Sequence, residues 1–248
     1  MAYRRDRSSC SRSPIALALP LAAILLLVTT GERAEAQEVE SPYEFFDHRW
    51  EFSAGIQHWE TDTGQFDLAP SSGTGAVARV GYHLAGPFTL EGVGSLVPTS
   101  RSVVEPTSPG DNGNGPQAVG QADVLMATGE ARLRFHVTGD RTWNDLAPYA
   151  SAGVGVSNDF EGHQTPDEEL SQSDRFNFGP TVTGYLGLGS QWFAGDRFLV
   201  QADVGVNAWR MSNPTGFQDL AGQGDIGSVD ENEWLLNPGL TVTLGVRR

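Results

Sequence analysis

Residues 125–137 read Leu-Met-Ala-Thr-Gly-Glu-Ala-Arg-Leu-Arg-Phe-His-Val, and neighbouring positions differ in polarity. One set of alternate positions is apolar: Leu125, Ala127, Ala131, Leu133, Phe135 and Val137. The intervening set is mostly polar: Met126, Thr128, Glu130, Arg132, Arg134 and His136. Successive side chains of a β-strand point to opposite faces, so a strand separates the two sets, whereas a helix would scatter both around its circumference. The pattern predicts a strand with one apolar and one polar face.

The same alternation recurs in seven further segments of the chain. The eight predicted strands are 50–57, 76–84, 88–96, 125–137, 147–157, 181–192, 198–208 and 234–246. Most have about ten residues, which is the length that a tilted strand needs to cross a bilayer. Long connections, at about 61–75, 98–121, 158–177 and 211–233, alternate with short ones at 85–87, 138–145 and 194–197. This sorting is typical of outer-membrane barrels. We therefore predict an all-β fold, an eight-stranded antiparallel up-and-down transmembrane β-barrel.

A soluble lipocalin-type barrel would turn the same apolar face inward, so the orientation needs its own argument. The polar face is rich in Gly, Ser and Thr, which suit a crowded lumen, and the apolar face carries almost no charge. Five Trp residues lie near segment ends, as in the aromatic girdles of membrane barrels: Trp50, Trp59, Trp192, Trp209 and Trp234. These features favour an apolar face that meets lipid.

The N-terminal segment has the pattern of an export signal. Four Arg within the first twelve residues precede an apolar run at 14–30, and Ala34-Glu35-Ala36 predicts cleavage before Gln37. The alternative is a membrane anchor. We predict a signal peptide at 1–36 for Sec-dependent export, a periplasmic N-terminal segment at 37–49 and the barrel domain at 50–248.

Charge and cysteine content exclude several classes of protein. Without residues 1–36 the chain has eleven Arg against 28 acidic residues, a net charge of −17. That balance argues against a nucleic-acid-binding protein, which needs a basic face. The single cysteine, Cys10, falls in the predicted signal and can build neither a disulfide framework nor a Cys-based zinc site. We expect no cofactor.

The strand and turn sequences resemble the eight-stranded outer-membrane barrel family, the OmpA-like transmembrane domain and its relatives, over residues 43–248. The similarity lies in PYASAGVG at 148–155 and in GYLGLG at 184–189, which the turn AGDR at 194–197 follows. The last strand carries the polar-x-Gly-x-x-apolar-x-apolar assembly signal at Asn237, Gly239, Val242 and Leu244. The resemblance implies a bacterial outer-membrane location among outer-membrane lipid and lipopolysaccharide. It also implies that the barrel-assembly machinery and periplasmic chaperones are partners.

The predicted lumen contains charged residues of both signs. They are Glu51, Arg79, Glu91, Glu130, Arg132, Arg134 and Asp203. A lone charge in a narrow barrel pays a desolvation penalty of several kcal/mol, so these groups must pair. Eight strands leave an interior just wide enough for side chains. We predict a plugged lumen with an ion-pair network; the alternative is a narrow small-solute channel.

The surplus of acidic residues lies in the four long connections, which hold fifteen acids and two Arg. Solubility and repulsion at the cell surface explain it, and the sharper alternative is capture of divalent cations at the runs 167–169 and 230–233. His58 and His163 lie near the long connections, but neither has a defensible Ser/His/acid spacing. We therefore expect a structural or surface-interaction barrel and not an enzyme; a lipid A-modifying barrel enzyme is the other alternative.

Overall fold

The computed structural model describes residues 43–108, 115–224 and 226–248. The predicted signal peptide and the first six residues of the predicted periplasmic segment therefore lie outside the described residues. In the part of the chain that the structure describes, no helix has the length and apolar character needed to span a bilayer.

Eight antiparallel strands form one closed sheet in sequence order, with β1 hydrogen-bonded to β8. The strands are β1 (Trp50–Trp59), β2 (Gly73–Ala85), β3 (Phe88–Glu105), β4 (Gln117–His136), β5 (Leu146–Asp159), β6 (Thr181–Ala194), β7 (Phe198–Ser212) and β8 (Asn232–Arg247). The described parts of the connections contain two four-residue helices, α1 (Thr165–Glu168) and α2 (Thr215–Gln218). The structure confirms the predicted eight-stranded up-and-down barrel.

The register gives the tilt of the strands. When the paired residues are followed from Glu51 on β1 through each neighbouring strand in turn, the path reaches Asn237 on β8. The residue of β8 that pairs directly with Glu51 is Arg247, so the closed sheet has a stagger of ten residues. A stagger of ten over eight strands corresponds to a tilt of about 40° and a rise along the barrel axis of about 2.5 Å per residue. The short connections lie at one end, the short-turn rim, and the long ones at the other, the long-loop rim.

Alternation along the strands fixes what faces inward and outward. The outer surface exposes large apolar side chains, among them Leu186, Leu188 and Leu244, each more than 60% exposed. The lumen encloses polar and charged side chains from the alternate positions. The middle of the barrel interior is therefore filled by polar and charged side chains and not by a hydrophobic core.

The hairpin of β3 and β4 extends further than the sequence predicts. Residues 98–121 were expected to form a loop, but β3 continues to Glu105 and β4 begins at Gln117. Beyond the barrel wall the two strands pair with each other, for example Arg101 with Ala122. Val103, Val104, Ala122 and Val124 are buried there, which stabilises the extension. A Ser- and Pro-containing sequence and a register shift between Val103 and Val104 interrupt the alternation that would have indicated these strands.

Candidate functional site: the lumen and its two ends

Arg134 is the centre of the charged layer in the lumen. Its Nη1 donates to Glu51 Oε2 at 2.9 Å and its Nη2 donates to Glu91 Oε1 at 2.7 Å. The guanidinium carbon also lies 5.1 Å from the centroid of the Tyr149 ring. All three charged groups are buried. One cation therefore joins strands β1, β3 and β4 across the interior.

Asp203 forms a second centre in the same layer. Arg79 Nη1 donates to its Oδ2 at 2.8 Å, Tyr185 donates to its Oδ1 at 2.7 Å, and Tyr149 donates to its Oδ2 at 3.2 Å. Arg79 Nη1 also lies 4.0 Å from Glu91 Oε1, the acceptor of Arg134. The two centres are therefore parts of one network.

The third pair is Arg132 and Glu130, which lie two residues apart on β4. Arg132 Nε donates to Glu130 Oε2 at 2.6 Å, and its guanidinium carbon lies 3.4 Å from the Tyr185 ring centroid. The structure thus buries all seven residues proposed for the lumenal network and gives each an oppositely charged neighbour. Four further side chains hydrogen-bond within this network and were not predicted from the sequence: His48, Tyr149, Gln191 and Gln201. Each is a polar residue of the inward face or, for His48, of the segment before β1.

Inward-facing glycines provide the space in which the two tyrosines lie. A Cβ at Gly187 or Gly205 would overlap the Tyr185 hydroxyl, and one at Gly189 would overlap the Tyr149 ring. Because neighbouring strands present glycine, both phenol groups can lie flat along the wall and reach Asp203. The Gly-rich polar face noted in the sequence is therefore a requirement of the network.

Phe46 closes the lumen at the short-turn rim. Its ring packs against His48, His83 and His136, with centroid separations of 5.7, 5.2 and 5.0 Å, and against Phe193 at 5.6 Å. Its backbone N–H donates to the Asp140 carbonyl at 3.0 Å. The segment before β1 thus blocks the lumen at this end, which is predicted to face the periplasm.

An apolar cap closes the opposite end of the lumen, at the long-loop rim. Trp59 and Trp209 meet there, together with buried side chains from strands and loops, including Leu68, Val97, Met126, Phe176, Phe178, Phe217, Leu220 and Leu235. Both indole rings are at most 1% exposed. Loop residues therefore fold into the barrel mouth rather than leaving it open.

The position of these two indoles differs from the expected aromatic girdle. Trp50, Trp192 and Trp234 point outward and are 45%, 51% and 55% exposed, whereas Trp59 and Trp209 point inward. The reason is strand alternation: Trp59 shares a face with Glu51, and Trp209 shares one with Asp203. Proximity to a strand end was a weaker indicator than the face of the strand.

The proposed assembly-signal residues also divide between the two faces. Asn237 is buried in the lumen, where its Nδ2 lies 3.3 Å from the Asn207 carbonyl oxygen, while Val242 and Leu244 face outward. A Cβ at Gly239 would lie only 2.9 Å from the His58 carbonyl oxygen and 3.4 Å from Trp59 Cβ. The spacing of the motif thus has a packing reason in the folded barrel; its recognition by the assembly machinery stays a prediction.

The acidic run at 167–169 is not uniformly exposed. Asp167 is buried, and Arg101 Nη2 lies 2.7 Å from both of its carboxylate oxygens. Asp167 also accepts the backbone N–H of Gln164 at 2.9 Å and so fixes the start of α1. Among the described residues, no three His, Cys, Asp or Glu side chains are arranged to hold a metal ion. Asp167 is therefore a structural partner of Arg101.

His58 lies on the outer surface near the long-loop rim. Its Nδ1 lies 2.8 Å from Thr74 Oγ1 on β2. Two polar side chains on an apolar surface thereby satisfy one another.

No protein family and no curated protein matches the sequence. Solved structures do match: OprG of Pseudomonas aeruginosa is 14% identical, with a TM-score of 0.50 over 84% of this chain and 99% of that chain. Neisserial surface protein A (13%, TM-score 0.46, 80% and 97%) and outer membrane protein W of E. coli (16%, 0.41, 81% and 98%) also match. At such identity the likeness to OprG establishes the fold alone. The chain therefore has the fold of the eight-stranded outer-membrane β-barrels, the family that its sequence resembles.

Proposed function

We propose that this chain is an integral protein of the bacterial outer membrane, with a closed lumen and a structural or surface-interaction role carried by its long loops. The observation that carries the proposal is the filling of the lumen at three successive levels: Phe46, the charged network around Arg134, and the Trp59–Trp209 cap. The outer-membrane location would follow export of the chain and insertion by the assembly machinery.

The outer surface supports a lipid environment. Between the two rims the described strands present apolar side chains and no charged ones; on β7 and β8 these are Phe198, Val200, Ala202, Val204, Val206, Ala208, Leu236, Pro238, Leu240, Val242, Leu244 and Val246. An Arg or Lys at the bilayer midplane would cost about 2–4 kcal/mol, so lipid explains why such residues are absent from this face. Water would not impose that restriction.

The interior argues against a steady pore. Opening a path past Arg134 would separate a buried cation from Glu51 and Glu91, and breaking a buried pair costs about 3–5 kcal/mol. Water would also have to displace the indoles of Trp59 and Trp209. We therefore favour a plugged barrel over a narrow small-solute channel.

Planar-bilayer recording of the purified, refolded chain tests this directly. We expect no steady conductance steps at protein amounts at which a general porin, used as the positive control, gives them. Regular steps from the unmodified chain would overturn the closed lumen.

The long loops are the part of the protein that we propose to meet partners. They carry most of the acidic surplus, which repels other anionic surfaces and favours cationic ones. Because Asp167 is paired with Arg101, a divalent-cation site in that run would fall to the exposed Glu168 and Glu169. A variant with Glu168→Gln, Glu169→Gln, Asp230→Asn and Glu231→Gln, compared with the unmodified chain in a screen of surfaces and cationic ligands, tests the loop role. Because these four side chains are exposed, the variant should melt at the temperature of the unmodified chain.

A further inference from the structure

Arg210 and Trp234 form a pair on the outer surface near the long-loop rim. They are direct register partners on β7 and β8, and both side chains are exposed. Phe198, in the lower apolar belt, begins the same strand twelve residues before Arg210. At about 2.5 Å per residue, Arg210 lies about 30 Å above it along the axis. The apolar band of outer-membrane barrels is about 25 Å tall, so Arg210 falls at the depth of lipid headgroups.

Among the described residues, the Arg210 guanidinium has no partner, unlike those of the other two arginines of this end. Arg101 is neutralised by Asp167, and the Arg175 guanidinium donates to the carbonyl oxygens of Glu168 and Leu170. No carboxylate among residues 43–108, 115–224 and 226–248 lies within 4.0 Å of the Arg210 guanidinium. The exposed guanidinium of Arg210 is therefore available to an anion from outside the chain.

A polar cleft lies beside this cation. It has a volume of about 190 Å³ and is lined by residues 177–181 and by Arg210, Met211 and Ser212. That is about six times the volume that one molecule occupies in liquid water. The walls are held in place, because Thr181 donates its hydroxyl to the Arg210 carbonyl and Ser212 donates its hydroxyl to Asn232 Oδ1 at 2.9 Å. Asn177 leaves an exposed amide at the cleft edge as a further donor.

We propose that this cleft binds a phosphate monoester of an outer-leaflet lipid, the phosphorylated headgroup of lipopolysaccharide. Arg210 supplies a planar pair of donors that matches phosphate, Asn177 adds an amide donor, and the Trp234 ring packs against the lipid beside it. The acidic loops repel such a phosphate elsewhere on this rim, and Arg175 has donors already engaged by two carbonyl oxygens, so Arg210 is the favoured site. The inference rests on the proposed outer-membrane location.

The test uses the mature chain refolded in uncharged detergent micelles, with diphosphoryl lipid A as the probe and native mass spectrometry as the readout. We expect Arg210→Gln to weaken lipid A binding about tenfold, whereas Arg197→Gln, which removes an exposed arginine from the short-turn rim, leaves it unchanged. Dephosphorylated lipid A should bind the unmodified chain as weakly as diphosphoryl lipid A binds the variant.

Three results would overturn the inference. Arg210→Gln and Arg197→Gln could bind diphosphoryl lipid A equally well, or the unmodified chain could bind dephosphorylated lipid A as tightly as diphosphoryl lipid A. The third is Arg210-dependent binding of inorganic phosphate by a chain that does not bind lipid A. Membrane fractionation of cells that express the chain separates this from the proposed function. An unmodified chain absent from the outer-membrane fraction would contradict the location. A chain present there that binds lipid A equally well with and without Arg210 would contradict only the phosphate site.

Discussion

The rings of Trp59 and Trp209 meet edge to face inside the barrel, with centroids 5.1 Å apart and planes at 85°. They belong to β1 and β7, which are not neighbours, because β8 lies between them. On β8, Gly239 is the direct partner of Trp59 and Leu235 is the direct partner of Trp209. A Cβ at Gly239 would lie 3.4 Å from Trp59 Cβ, so this glycine leaves room for the Trp59 side chain in the cap.

Gly239→Val should therefore destabilise the barrel. The new side chain would collide with the His58 carbonyl and with Trp59, and overpacking of this kind typically costs about 1–3 kcal/mol. We expect a lower melting temperature for the refolded protein, measured by the loss of the compact form on SDS gels of samples heated beforehand to a series of temperatures. Gly129→Ala is the control, since a Cβ there meets no atom within 4 Å. Equal melting of the two variants would contradict the role of Gly239.

Arg134→Met should be among the most destabilising substitutions in the lumen. It leaves Glu51 and Glu91 buried without their shared cation, which costs about 3–5 kcal/mol. Urea unfolding in lipid vesicles measures the change. Adding Glu91→Gln to Arg134→Met should recover part of the loss, because one uncompensated charge is then removed. A double variant less stable than Arg134→Met would contradict the pairing.

The network shows how far strand alternation carries a prediction. The polar face of residues 125–137 predicts Arg132 and Arg134 in the lumen, and the desolvation penalty of a lone buried charge predicts that they have acidic partners. The alternation could not indicate which acid meets which base, because that depends on the stagger of the strands. Arg134 reaches Glu51 on β1 although 83 residues separate them.

Other features of the site have no local signal in the sequence. Asp167 looks like one member of an acidic run, and only the return of α1 onto the β3–β4 hairpin brings it to Arg101. Phe46 precedes the first strand, in a segment with no periodic pattern, and its place among three histidines follows from its backbone bond to the turn at Asp140. Both are long-range contacts made by irregular segments, which alternation does not describe.

Arg101→Met should loosen the β5–β6 loop without unfolding the barrel. Asp167 would lose its only described cation and would move toward water, so the turn at α1 would lose its anchor. We expect faster limited proteolysis within residues 160–180, at an unchanged melting temperature of the barrel. Arg175→Met, which removes two bonds to carbonyl oxygens in the same loop, is the comparison and should have a smaller effect. Protection equal to that of the unmodified chain would show that the pair does not hold the loop.

A single cysteine in the lumen should be shielded from both sides of the membrane. Thr183 lies on the inward face of β6, fully buried between the charged network and the aromatic cap. In a mature chain without Cys10, Thr183→Cys should therefore not react with a membrane-impermeant maleimide in folded protein, although it should react after heating in detergent. Phe160→Cys, at a position that is 67% exposed beside the long-loop rim, should react at once. Rapid labelling of Thr183→Cys would mean that water and small solutes reach the lumen, because the reagent itself would have passed the aromatic cap or the Phe46 ring.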